Sequence, residues 1–247
     1  MKKNLAAIVL AAGKGKRMNS TVVNKVAMLL ADKPMIIRTI ELLKNLEINS
    51  IIVVVGFAKK SVIELLGKNV LFAEQKKRLG TGHAVSVALK KIPAGTENVL
   101  VLNGDDSAFY SNAIIKKLID KHFSSNSSFT FLTIEKDDPH GLGRVVRDKQ
   151  GKVIAVVEEK DANLSQRKIK EVNPACYIFR LWFLKKYLPK VKKSPITGEY
   201  YLTSLIDIGI KNKEKIETLR AGKLVWRGVN TQDELKEAEK LINTIRF

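Results

Sequence analysis

The sequence predicts an α/β fold: a Rossmann-like, doubly wound, mainly parallel sheet with helices on both faces. Three observations predict it. Short, continuous apolar runs recur, as strands buried on both faces require. Segments of helical period separate them, so successive strands return in parallel through helical crossovers. Glycine-rich or acidic turns follow several of the runs, at the strand ends where open α/β sheets bind ligands.

Taken in order, Leu5–Leu10 reads as the first strand, and Pro34, at a first-turn position, opens a helix through about Glu47. Ile51–Val55 is a strand and Lys59–Leu66 a short helix. Val70–Ala73 is a strand and Gly82–Lys91 a helix. Val99–Leu102 is a strand, Asn112–His122 a helix and Phe129–Ile134 another strand. The alternation stops near residue 135. Arg144–Glu159 reads as a β-hairpin turning at Asp148–Gly151, and Val172–Phe179 as a strand. Glu199–Lys211 is helical, Ile216–Leu219 and Leu224–Trp226 are short strands, and Gln232–Ile245 is a closing helix. No Pro/Gly/Ser linker divides the chain, and no internal repeat, hexapeptide β-helix periodicity included, is present.

Composition narrows the function classes. Lys2 and Lys3 before the apolar Leu5 to Ala12 mimic a secretory signal. The next residues, Gly13-Lys14-Gly15-Lys16-Arg17, are charged where a cleavage site wants small uncharged ones, so the run reads as a buried strand instead. No other segment approaches the apolar length of a membrane span. A soluble cytoplasmic protein without membrane association is expected. Cys176 is the single cysteine and cannot form an intramolecular disulfide; within ACYIF it reads as a small buried hydrophobe. His83, His122 and His140 lie far apart, and Cys/His metal spacing is absent. The formal charge of +19 fits an anionic partner, or simply a lysine-rich composition. Lysines are spread over many helix faces with no basic block of interleaved aromatics, which speaks against a nucleic acid.

Three motifs carry chemistry. The first is Gly13-Lys14-Gly15-Lys16-Arg17 after the first strand. Position 18 is Met18, so the dinucleotide fingerprint is unmatched, as is the P-loop pattern. Glycines here let backbone N–H groups approach phosphates, and cations neutralise them. A basic surface turn fits the same residues. Lys25 could return to the same anion or be merely solvated. The second motif is Gln75 with Leu79-Gly80-Thr81-Gly82-His83-Ala84. Its glycines allow close ligand approach at a helix N-terminus, and Gln75 carries the donor and acceptor that a base edge needs. The third is Asn103-Gly104-Asp105-Asp106 after VLVL. A carboxylate at that strand end, beside phosphates, is a ligand type that Mg²⁺ uses.

In order and spacing these residues resemble the sugar-1-phosphate nucleotidyltransferases. They are most similar to the uridylyltransferase domain of the bacterial bifunctional N-acetylglucosamine-1-phosphate uridylyltransferase/glucosamine-1-phosphate acetyltransferases. The resemblance runs over nearly the whole chain through LAAGKGKRM, NKVAMLLADKPM, LGTGHAV, LNGDD, GLGRVVRD, VVEEKDA, EVNPACYIF, TGEYYLTSLI and GVNTQDEL. It implies that Leu10, Ala11, Ala12 and Gly13 contact the nucleoside, that Gln75 reads uracil, and that Gly80 and Thr81 complete that pocket. It also implies that Asn103 and Gly104 lie beside the ribose, that Arg17 and Lys25 hold the triphosphate, and that Asp105 and Asn230 bind Mg²⁺. Gly143, Glu158 and Asn173 would hold the amino sugar, although a loop glycine, a strand-end charge and a turn residue before Pro174 describe them equally.

The implied activity joins UTP to a sugar 1-phosphate, giving a UDP-sugar such as the cell-wall precursor UDP-N-acetylglucosamine, and pyrophosphate. Glucose 1-phosphate, dTTP or another nucleoside triphosphate are alternatives, as is a non-catalytic binding protein of the same fold. On this reading, residues 1–247 form one domain: a nucleotide half over about 1–135, a sugar half over about 136–230 and a closing helix. The sequence specifies no oligomeric state. It departs from the family pattern in four places. Lys16 replaces a usual threonine and Asn24 a usual proline. Asp106-Ser107 replaces an apolar-proline pair, and Pro174-Ala175 a Thr-Gly pair. Without hexapeptide repeats, no acetyl transfer is expected.

Overall fold

The computed structural model describes residues 4–15 and 22–242. The chain divides into two compact units. The first comprises Met1–Arg78, Ala84–Lys116 and Val225–Phe247, and the second Leu79–His83 with Lys117–Leu224. Together their elements make an α/β fold with mixed strand directions and flanking helices.

The first unit is built on four parallel strands. β1 is Leu5–Ala11; a small antiparallel pair, β2 (Leu29–Leu30) and β3 (Lys33–Pro34), precedes helix α1 (Met35–Asn45). Then come β4 (Ile51–Val55), α2 (Lys59–Leu66), β5 (Leu71–Glu74), α3 (Thr81–Leu89) and β6 (Asn98–Asn103). The strand order is β5-β4-β1-β6. Val55 pairs with Glu74, Ala11 with Val55 and Leu10 with Asn103, so the carboxyl ends of all four strands align. Ala6 to Val9 and Ile51 to Val55 are buried throughout, which is why these segments read as unbroken apolar runs.

The second unit is mostly antiparallel. α4 (Asn112–Ser125) leads into β7 (Phe129–Glu135), then the hairpin β8 (Gly143–Arg147) and β9 (Val153–Val157). α5 (Leu164–Arg167), β10 (Glu171–Asn173), β11 (Tyr177–Arg180), α6 (Leu181–Tyr187), α7 (Ser204–Lys211) and β12 (Ile216–Arg220) follow. β10 and β11 run antiparallel to β7, and β12 runs parallel to it. The mainly parallel arrangement thus holds for the first unit, and the second makes the sheet mixed. The chain then returns to the first unit, where α8 (Gln232–Ile242) is the last described element.

Four expected elements differ. The strand expected over Val172–Phe179 is two strands. Pro174 has no N–H for a ladder, and Ala175 adopts a left-handed φ of 57°, held by its N–H donating to Asn173 Oδ1 at 3.0 Å. The helix expected from Glu199 begins only at Ser204. Before it, Tyr200 N–H donates to the Leu79 carbonyl and Leu202 N–H to Thr81 Oγ1, so the backbone is engaged elsewhere. No strand forms over Leu224–Trp226, because Gly222, with a φ of 64°, turns the chain off the edge of β7. Pro34 sits one position before α1 rather than within its first turn. Cys176 is buried, as its apolar setting implied. Among the described residues, no helix is long and apolar enough to cross a membrane.

Candidate active site

Three of the four strands of the parallel sheet, β1, β5 and β6, deliver candidate residues at their carboxyl ends. β1 ends in Leu10 and Ala11 and runs into Ala12 and Gly13; Ala11 and Ala12 are buried and Gly13 is exposed. β4 runs into Gly56, whose absent side chain is required. A Cβ there would lie 2.8 Å from the Ala12 carbonyl oxygen. β5 runs into Gln75, which is buried and whose N–H donates to the Val55 carbonyl at 2.8 Å. β6 ends in Asn103 and runs into Gly104, whose N–H donates to the Leu10 carbonyl at 3.0 Å. A Cβ on Gly104 would press on the Ile36 and Val26 side chains at 3.1 and 3.2 Å, so a larger residue here would have to push them aside. One crevice edge therefore collects backbone from β1, an amide from β5, and an amide and a carboxylate from β6, as open parallel sheets do.

Lys25, Asp105 and Asn230 meet at this edge. Lys25 Nζ donates to Asp105 Oδ2 in a short ion pair and to Asn230 Oδ1 at 2.9 Å. The Lys25 and Asp105 side chains are only 12% and 15% exposed, which strengthens their attraction relative to a surface pair. Lys25 rides on a one-turn 3-10 helix, Lys25–Ala27, whose N-cap is Asn24. Asn230 is held by a capping box at the start of α8. Glu234 Oε2 accepts from Asn230 N–H at 2.6 Å and from Thr231 N–H at 3.1 Å, while Glu234 N–H donates to Thr231 Oγ1 at 3.1 Å. The stretch Thr231-Gln232-Asp233-Glu234 is a sequence signal for this rigid support.

Asp105 Oδ2 and Asn230 Oδ1, one anionic and one neutral oxygen, converge on a single cation, the Lys25 ammonium. A hard divalent ion that keeps several waters and uses few protein ligands fits such a pair. The described residues contain no group of three or more His, Cys, Asp or Glu side chains able to hold a metal, so an all-protein cage is not what they form. Next door, Asn103 Nδ2 donates to Asp106 Oδ2 at 3.0 Å. Burial pushes the Asp106 carboxyl well above the usual carboxylate range, and the Asp105 charge adds to the rise.

The remaining candidates lie in the second unit. Gly143 and Asn173 are register partners on β8 and β10. A Cβ on Gly143 would stand 3.7 Å from Glu158 Oε2 and 3.9 Å from Asn173 Cβ, so these three gather at one place. Thr203 Oγ1 donates to Glu158 Oε1 at 2.7 Å. Burial raises the Glu158 pKa, and the Asp161 and Glu199 charges raise it further against that hydrogen bond. Asn173 turns its amide inward: Nδ2 donates to Tyr177 Oη at 2.6 Å, and Oδ1 accepts from Ala175. Gly80, with a φ of 99°, is closed on by the Tyr200 carbonyl, 2.6 Å from where a Cβ would sit. Thr81 Oγ1 accepts from Leu202 N–H at 2.9 Å. These bonds fasten the turn with Gly80 and Thr81 to Tyr200–Leu202, next in sequence to Thr203.

Arg17 lies outside the described residues, as does Lys16. Sequence reasoning passed over Gly56, Thr203 and Glu234, and marked Asn24 only as a departure from the family pattern. Of these, only Glu234 had a readable local signal. The histidines are not gathered: His122 is buried in α4 beside Thr130 Oγ1, and burial, helped by Arg180, lowers its pKa to about 4.

Comparison with known proteins bears on this geometry. The "Nucleotidyl transferase" family profile matches residues 6–244. The "Bifunctional protein GlmU" of Thermoanaerobacter pseudethanolicus is 39% identical over 243 residues, which cover 97% of this chain and 52% of that protein. The protein of the same name from Caldicellulosiruptor saccharolyticus is 40% identical over 243 residues, again 97% and 52% of the two chains. The chain spans about half the length of the curated relatives it matches. A crystal structure described as a "Putative Glucose-1-Phosphate Thymidylyltransferase" from Bacillus anthracis superposes with a TM-score of 0.80 at 21% identity, covering 98% of this chain and 97% of the other. At that identity the likeness concerns the fold.

Proposed function

The chain belongs to the nucleotidyl transferase family, and from that premise we propose that it joins UTP to N-acetylglucosamine 1-phosphate, forming UDP-N-acetylglucosamine and pyrophosphate. The observation that carries the reading is the meeting of Lys25, Asp105 and Asn230 at the carboxyl edge of the parallel sheet. A sugar-phosphate oxygen is already ionised at neutral pH, so no side-chain base is needed. It attacks the α-phosphorus in line and the pyrophosphate oxygen leaves. The work of the site is to align two polyanions and neutralise them.

Lys25 and Arg17 bind triphosphate oxygens in this scheme, and Asp105 with Asn230 would hold Mg²⁺. When bound, Mg²⁺ supplies charge neutralisation at the phosphates. Ala11 to Gly13 and Gly104 give close backbone approach, Gln75 reads the uracil edge with Gly80 and Thr81, and Asn103 faces the ribose. Glu158 accepts from sugar hydroxyl or amide groups, with Thr203 fixing its rotamer and Gly143 leaving room. Asn173 spends both ends of its amide on Tyr177 and Ala175. That favours, as a second reading, a sugar held without it, such as glucose 1-phosphate.

Pyrophosphate release from a matrix of nucleoside triphosphates against sugar 1-phosphates tests the proposal. The largest kcat/KM is expected for UTP with N-acetylglucosamine 1-phosphate. A preference for glucose 1-phosphate would move the sugar and keep the reaction. Equal turnover of ATP or GTP would remove Gln75 as a base reader. No release with any pair would overturn the function.

A further inference from the structure

Asn24 is 1% exposed, and every polar atom it owns is engaged. The two hydrogens on its Nδ2 serve three carbonyls, those of Ala11 at 3.0 Å, Gly13 at 3.4 Å and Phe57 at 2.7 Å, so one of them is shared. Its Oδ1 accepts from Val26 N–H at 3.1 Å, capping the turn that carries Lys25. Its main-chain N–H donates to Ser61 Oγ at 3.0 Å, and its carbonyl accepts from Ala27 N–H at 2.9 Å. One carboxamide thus joins the exit of β1, the exit of β4 and the turn of Lys25.

We propose that Asn24 is a positioning residue of the phosphate site: its carboxamide sets the Lys25 ammonium and the Ala11–Gly13 backbone as one rigid group. The proposal rests on reading Lys25 as a triphosphate contact and Ala11 to Gly13 as nucleoside contacts. Two features separate this role from mere core filling. A buried amide pays for its desolvation through its hydrogen bonds, and here three of its four side-chain bonds go to the loops at the strand ends. The backbone also needs no asparagine: φ is −68°, the value that proline fixes. The side chain, not the local conformation, therefore sets what this position does.

Three substitutions dissect the clamp. Asn24→Ser keeps an N-cap acceptor and loses the donors to Ala11, Gly13 and Phe57. Asn24→Pro keeps φ and loses the side chain and the N–H. Ser61→Ala removes the acceptor of the main-chain N–H, together with the hydroxyl's own bond to the Ala58 carbonyl, and leaves the carboxamide in place; it serves as the mild variant if the others fold poorly. Two readouts apply to each variant that keeps its circular dichroism. One is the acylation rate of Lys25, measured by mass spectrometry with acetic anhydride and compared with Lys33 in the same sample. The other is kcat and KM for UTP with N-acetylglucosamine 1-phosphate.

Lys25 acylation is expected to rise several-fold in Asn24→Ser and Asn24→Pro. KM for UTP should rise and kcat fall, together costing on the order of 10-fold or more in kcat/KM, the scale of a misplaced catalytic group. Ser61→Ala should show the same pattern at smaller amplitude. Wild-type acylation of Lys25 in folded variants, or faster acylation with unchanged kcat and KM, would overturn the positioning role. If the wild-type chain releases no pyrophosphate, the reaction proposed above fails. The acylation rates then decide by themselves whether Asn24 positions Lys25.

Discussion

The two units differ in strand direction and in the side chains their strands gather. In the first, parallel strands bring all their carboxyl ends to one edge, and the side chains there are a cation, a carboxylate and amides. In the second, antiparallel strands and a broken β10–β11 segment gather a half-buried carboxylate, a hydroxyl and a glycine. The first set suits phosphates and a hard metal ion. The second set accepts hydrogen bonds from hydroxyl and amide groups. Under the proposed roles, reaction chemistry and sugar choice rest on different backbone architectures, so each is expected to change without the other.

If that division holds, the largest effects come from the first unit. Asp105→Ala removes the charged oxygen of the proposed metal pair, and kcat should fall on the order of 10²–10³ or more, the scale of a preorganised electrostatic group. Asn230→Ala should cost less, since water can replace a neutral ligand. Both should remain folded by circular dichroism, and chelation of divalent ions should stop the wild-type reaction. Lys25→Met sharpens the point. Because Nζ bonds the same two oxygens, its removal should tighten Mn²⁺ binding, read by electron paramagnetic resonance, while kcat falls. Weaker Mn²⁺ binding would show that these oxygens are not the metal pair.

A smaller and differently shaped effect is expected from the second unit. Glu158→Gln should raise KM for the sugar 1-phosphate about tenfold, the order of one charge-assisted hydrogen bond, with KM for UTP nearly unchanged. A kcat loss as large as that of Asp105→Ala would break the separation between the units.

The smallest effect is structural. Arg147 clasps Glu171 with bonds of 2.7 and 2.5 Å, and Arg220 adds one of 3.2 Å. Burial works to raise the Glu171 pKa, yet these partners hold it down from 4.5 to about 2. A depressed carboxylate contributes stability above its unfolded pKa. Glu171→Gln should therefore cost about 1 kcal/mol at pH 7, discounted for partial exposure. The difference from wild type should shrink as pH falls from about 4.5 toward 2. Parallel thermal melts across that range check it.

Periodicity made the parallel unit legible. Ile51–Val55 and Lys59–Leu66 lie where the apolar run and the helical spacing put them. The antiparallel unit was harder to read, because one break is a turn hidden in an apolar run and another comes from long-range bonds. The apolar run ACYIF conceals the turn at Pro174-Ala175, and the backbone of Tyr200 is committed to Leu79 and Gly82, far away in sequence. Helix α6 escaped because it starts directly after β11 with no loop between them. Among site residues, Asp105 and Gly104 announced themselves by following VLVL. Asn24 did not, since nothing local reveals that its amide will meet carbonyls from two other strand exits.

The central claim is direct in-line transfer organised by Lys25, Asp105 and Asn230, with no side-chain base or nucleophile. Its most direct test is the stereochemistry at the α-phosphorus. The chain is given UTPαS of one configuration with N-acetylglucosamine 1-phosphate, and the configuration of the thio-labelled product is read by ³¹P NMR. A single in-line displacement inverts that centre, and inversion is the expected result. Retention would mean two displacements through a nucleotidylated enzyme, and would contradict the account.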